Sequence, residues 1–227
     1  PAMARISEVR IRRVDGLLAA EYGDRPRGDA EPDVVGALVR TVLSQNTSGA
    51  NSSQAYRRLR EAFPTWEDVL AATDAEVAEA IRPAGLAEIR APRIRRILAE
   101  IRAAHGTVDL SWLRSRTCAE STAYLTGFVG VGAKTAACVV LFALGLPAFP
   151  VDTHVLRVAK RLGWVDPLCR AEEAQAVLER CVPDALKYRL HLNLVMHGRR
   201  RCRPSRPRCG GCPLRRFCRY DESKGGA

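Results

Sequence analysis

No apolar run in this chain approaches the roughly 20 residues a membrane-spanning helix needs, so no membrane partner is expected. The opening residues, PAMARISEVR, hold no apolar stretch of the secretory kind. A cytoplasmic protein is therefore expected, nucleoid-associated if bacterial. Period-two alternation is scarce, and no segment reads as a strand. There are no internal repeats and no low-complexity linker, so a domain boundary leaves no mark in the composition. A reducing compartment also argues against structural disulfides, although the chain has 8 cysteines.

What is present is ordinary globular composition with an unusual charge. The 227 residues are 47% hydrophobic and 27% charged, enough for a buried core. The formal net charge is +11 and the pI about 9.7. That balance points to a polyanionic partner, nucleic acid before acidic membrane.

Helical periodicity and helix caps recur throughout, so an all-α fold is expected. A first helix is predicted over residues 6–22. Asp33 caps the next, which carries Val34, Leu38, Val42 and Leu43 at helical spacing. Thr73 with Glu76, and Thr117 with Glu120, have capping-box spacing. Ile94, Ile97, Leu98 and Ile101 mark a long helix ending before Gly106. KTAACVVLFALG is apolar nearly all round, the pattern of a buried central helix. Cys118, Cys138, Cys169 and Cys181 are scattered through such stretches and read as buried thiols with no assigned role.

Three segments carry chemistry. In FVGVGAKTA, Gly130 and Gly132 flank Val131 just before a strong helix. Such a turn presents backbone N–H groups at a helix N-terminus, which suits a phosphate; it is also an ordinary turn. Lys134 falls in the first helical turn, where the helix dipole disfavours a cation, and a partly buried amine is expected. An unprotonated lysine attacks carbonyl-like carbons and forms Schiff bases, but a lone lysine here reads first as a snorkelling or phosphate-binding one. In FPVDTHVLRVAKRLGW, Asp152 sits where a helix N-cap belongs, and its fixed carboxylate could also stabilise a developing positive charge. Finally, Cys202, Cys209, Cys212 and Cys218 lie in CRPSRPRCGGCPLRRFC, inside the most basic part of the chain. Four thiolates at this spacing suit an iron–sulfur cluster or a four-cysteine zinc site.

Taken together, these motifs resemble the endonuclease III branch of the helix-hairpin-helix DNA glycosylases. FVGVGAKTA is similar to the family's LPGVGxKTA, VDTH at residues 151–154 keeps the family's spacing from the lysine, and the cysteines follow C-x6-C-x2-C-x5-C. The resemblance runs from about Val34 to Tyr220. It implies a six-helix barrel lobe over about 26–146, with the helix-hairpin-helix at about 118–145. A second lobe, 1–25 with 147–227, carries a [4Fe-4S] cluster in the loop 202–218.

The resemblance further implies a bifunctional glycosylase and AP lyase of base excision repair, acting on double-stranded DNA with damaged bases or abasic sites, as a monomer. Lys134 is implied as nucleophile and Asp152 as electrostatic stabiliser. Gln45 and Leu86 match the residues that fill the gap left by a flipped base. Gly130, Val131 and Gly132 would hold the backbone, and Arg199, Arg200, Arg201, Arg203, Arg206 and Arg208 would face it. Oxidised pyrimidines are the expected substrates; a glycosylase for another lesion or mismatch, and a non-catalytic DNA-binding protein of the same fold, are the alternatives. Two departures stand out: Phe128-Val129 replaces the family's Leu-Pro, and QNTS at 45–48 replaces QATD.

Overall fold

The computed structural model describes residues 6–28 and 31–220, and among them there are helices and no strand. The chain divides into a continuous unit, residues 30–146, and a split unit, residues 1–29 with 147–227. Helix α1 (Glu8–Tyr22) opens the split unit. The continuous unit runs through α2 (Val34–Leu43), α3 (Gly49–Ala62), α4 (Trp66–Ala71), α5 (Asp74–Ile81), α6 (Ala87–His105), α7 (Cys118–Thr126) and α8 (Ala133–Phe142). The split unit resumes with α9 (Thr153–Arg161), α10 (Ala171–Cys181) and α11 (Asp184–Arg200). Among the described residues, no helix is long and apolar enough to cross a membrane.

Short polar side chains start these helices. Asp33 accepts from Gly36 N at 2.7 Å, and Ser48 from Asn51 N at 3.1 Å. Both expected capping boxes form, and Thr65 with Asp68 makes a third that the sequence reading missed, Asp standing where Glu or Gln is usual. The backbone N–H groups of Thr73 and Thr117, helped by their hydroxyls, hold the Glu76 and Glu120 carboxyls below the ordinary glutamate range. Helix α1 starts at Glu8, not residue 6, because Ser7 turns its hydroxyl onto Arg10 N and becomes the cap.

In the continuous unit, α2 and α8 are the most buried helices, with seven of ten residues buried in α2 and six of ten in α8. Ala136, Ala137, Val139, Val140 and Leu141 of α8 are at most 1% exposed, and this helix packs on α2 and α7. Burying each larger aliphatic side chain contributes roughly 1.5–3 kcal/mol. In the split unit, Ile11, Val14 and Leu18 of α1 share a core with Val155 and Val158 of α9 and Leu190 and Leu194 of α11. The scattered thiols are less buried than expected: Cys169 is buried, but Cys118, Cys138 and Cys181 are half-buried. Cys118 opens α7 and Cys181 closes α10, and helix ends give less cover than helix middles.

Candidate nucleic-acid interface and thiol cluster

Residues 127–132 make the turn between α7 and α8. Phe128 is buried and packs edge-on against Tyr124, ring centroids 5.4 Å apart. Val131 is buried too, and its N–H donates to Phe128 O at 3.1 Å. Its side chain therefore anchors the turn from inside. Gly130 and Gly132 are exposed. Gly130 has φ +82°, a left-handed conformation that favours glycine, and lies against the end of the Arg93 side chain. Gly132 opens α8 with no side-chain cap, so its first N–H groups face the turn without one.

Lys134 follows. It is exposed, not partly buried, and among the described residues its amine has no hydrogen bond or ion pair. The reason is local. In this first turn of α8 the inward face belongs to Thr135, Ala136 and Ala137, which are 5%, 0% and 0% exposed. The arrangement presents a primary amine beside an uncapped helix N-terminus.

Gln45, just past α2, reaches this hairpin. Its Nε2 donates to Gly130 O at 3.1 Å and Thr135 Oγ1 at 3.2 Å, while Arg93 Nη1 approaches its Oε1 at 3.5 Å. These bonds tie the segment after α2 to the hairpin. Leu86 is 57% exposed and stands at φ +51° before α6. Ile89, one turn on, is equally exposed at 57%. The sequence reading missed Arg90 and Arg93. Arg90 is 3% exposed and donates to Leu43 O (2.8 Å), Ala84 O (2.9 Å) and Gln45 O. Burial, and then the nearby Arg93, lower its pKa from the ordinary arginine value. One signal was readable: Arg90 lies in register with the apolar stripe of Ile94, Ile97 and Ile101.

In the split unit, Asp152 caps α9, its Oδ1 accepting from Val155 N at 2.7 Å. One turn on, Arg157 donates to Cys202 O and Gly198 O, both at 2.9 Å. Gly198 allows this closeness, because a Cβ there would lie 2.7 Å from His154 Cβ. Arg161 donates to Cys202 Sγ at 3.2 Å and Arg203 O at 2.8 Å. Two arginines on one face of α9 thus grip the start of the cysteine loop. Cys202, Cys209, Cys212 and Cys218 line one pocket with His197 and Leu214, about 360 Å³ including its open mouth. Burial pushes the Cys212 thiol up. Burial, with Arg201, pulls His197 down to about 4.

The arginines of this segment divide. Arg199, Arg200, Arg203, Arg206 and Arg208 are exposed and, among the described residues, form no ion pair. Arg201 is the exception: it bonds Glu21 Oε1 at 2.7 Å and Gly210 O at 3.3 Å, so it braces the loop internally.

Residues 39–184 match the HhH-GPD superfamily of base excision DNA repair proteins. Across 212 residues the chain is 34% identical to endonuclease III of Thermotoga maritima, covering 92% of this chain and 93% of that one. The chain belongs to the endonuclease III branch of the HhH-GPD superfamily. It is also 41% identical over 169 residues to a putative DNA glycosylase of Arabidopsis thaliana, covering 74% of this chain. The chain spans 58% of that relative's length. A solved endonuclease III, trapped as a covalent intermediate with DNA, superposes with a TM-score of 0.78 at 29% identity, covering 96% of this chain and 98% of that one.

Within this endonuclease III-type chain the two departures have visible consequences. Val129, in the family's proline position, is 51% exposed and leaves the turn without proline's fixed φ. Asn46 stands at φ +52°, a left-handed conformation that asparagine tolerates better than alanine. Ser48, in the family's aspartate position, caps α3, a task either residue performs.

Proposed function

We propose that this protein is a bifunctional DNA glycosylase and AP lyase that removes oxidised pyrimidines, such as thymine glycol, from double-stranded DNA. The observation that carries the reading is the exposed amine of Lys134, without a partner among the described residues, at the uncapped start of α8. An amine held in a structural ion pair would not serve as a nucleophile. That the solved relative was trapped covalently with DNA supports the same chemistry.

The damaged base must leave the stack before its glycosidic bond is accessible. Gln45 and Leu86 fill the space it vacates, Gly130 and Gly132 accept a phosphate, and the exposed arginines from Arg199 to Arg208 neutralise the backbone. The lone pair of unprotonated Lys134 then forms a bond to C1′ as the C1′–N glycosidic bond breaks. The base departs with that electron pair and gains a proton. Ring opening with loss of the remaining amine proton yields the Schiff base. Removal of a C2′ proton expels the 3′ phosphate oxygen, and water later frees the lysine. Asp152 stabilises the positive charge that builds on the sugar as the base departs.

Cys202, Cys209, Cys212 and Cys218 would hold a [4Fe-4S] cluster. All four thiols line one pocket. Four cysteines around one cavity, at the C-x6-C-x2-C-x5-C spacing of the endonuclease III family, favour a cubane over a single zinc ion. When bound, the cluster braces the basic loop.

Borohydride trapping on an abasic duplex tests the proposal. Wild type should form a covalent complex and Lys134→Gln should not, while still binding DNA. Trapping that survives in Lys134→Gln would mean another amine attacks. A panel of single-lesion duplexes tests the substrate class, and excision confined to purine lesions or mismatches would refute it.

A further inference from the structure

Arg90 is a buried cation that, among the described residues, has no acidic partner. Its guanidinium instead serves three backbone carbonyls, those of Leu43, Ala84 and Gln45. Leu43 ends α2, where the helix dipole makes carbonyls negative. Ala84 immediately precedes Gly85-Leu86. One side chain therefore fastens two loops about 40 residues apart in sequence, one carrying Gln45 and the other Leu86.

Both loops are conformationally costly. Asn46 and Leu86 are two of the three non-glycine residues with positive φ among the described residues. Such a conformation costs roughly 1–2 kcal/mol for an ordinary side chain and persists only where the surroundings enforce it. Each lies within two residues of a carbonyl that Arg90 holds. The arrangement keeps Leu86 exposed and Gln45 aimed at the hairpin. Lysine could not replace this fork, because an ammonium lacks the planar array of donors that spans separate acceptors.

We infer that Arg90 is a positioning residue that presets Gln45 and Leu86 as one rigid element for insertion into the base stack. This rests on the reading that these two side chains fill the gap.

The test compares affinities for an abasic duplex and an undamaged duplex of the same sequence, in the Lys134→Gln background so that no turnover occurs. Arg90→Lys should lower the abasic-to-undamaged affinity ratio about tenfold, within the coupling range of contacting residues, and leave undamaged-DNA affinity unchanged. In a Gln45→Ala/Leu86→Ala background, Arg90→Lys should change the ratio no further. A role confined to general stability would not move the ratio. A folded Arg90→Lys protein with an unaltered ratio, or an equal loss in the doubly truncated background, overturns the inference. If Gln45→Ala/Leu86→Ala itself leaves the ratio intact, the gap-filling reading falls, and the inference with it. Should Arg90→Lys not melt cooperatively, nuclear magnetic resonance of the wild type decides. The Arg90 Nη protons should be resolved and slow to exchange, both free and bound to abasic DNA. Rotationally averaged signals would mean no clamp exists.

Discussion

Replacing Asp152 by asparagine separates two jobs that one carboxylate can do. As a cap, Asp152 accepts from Val155 N at 2.7 Å through Oδ1. Asparagine keeps an oxygen in that place and caps nearly as well, so stability should change by only a few tenths of a kcal/mol. Alanine removes the acceptor and should cost about 0.5–2 kcal/mol, lowering Tm by roughly 2–4 °C for each kcal/mol in a chain of this size. Charge predicts a different ranking. If the carboxylate stabilises the cationic sugar, both variants lose it, and base release should slow by about two to three powers of ten, some 2.7–4 kcal/mol. The assays are thermal melting and single-turnover base release from a lesion-bearing duplex. The expected pattern is a stable but slow Asp152→Asn and a less stable, equally slow Asp152→Ala. A stable Asp152→Asn with undiminished base release would reduce Asp152 to a helix cap and refute the electrostatic argument.

Three further outcomes follow from the same geometry. With Arg201 engaged internally, the five exposed arginines and the hairpin should neutralise about four to six phosphates, so log K against log salt should slope at roughly −4 to −5; a slope near zero would mean the basic loop does not meet DNA. Purified protein should be yellow-brown with iron and no stoichiometric zinc; metal analysis showing one zinc and no iron would remove the cluster. Cys209→Ala should discharge the cluster, speed hydrogen exchange through residues 199–208, and weaken DNA binding more than it harms trapping by Lys134 on saturating DNA; an unchanged exchange rate would show that the arginine grip from α9 suffices alone.

The helices were legible because their causes are local. Asp33, Thr73, Thr117 and Asp152 cap the backbone a few residues away, and the apolar stripe of α6 repeats at the helical period. The glycines, Lys134 and the cysteine spacing were equally local, and their order along the chain carried the resemblance to the endonuclease III family. Composition alone set the +11 charge. What tertiary structure decided are contacts between distant segments. Val131 turned inward because the turn closes on Phe128, and Lys134 outward because its neighbours fill the buried face. Arg201 met Glu21 across 180 residues, so one arginine of six became a brace while five stayed exposed. Arg90 found its three carbonyls only once α2, the turn before α6, and α6 itself had packed. No sequence pattern announces that choice, because a guanidinium can pair with acids, phosphates or backbone oxygens alike, and only the folded surroundings determine which it meets.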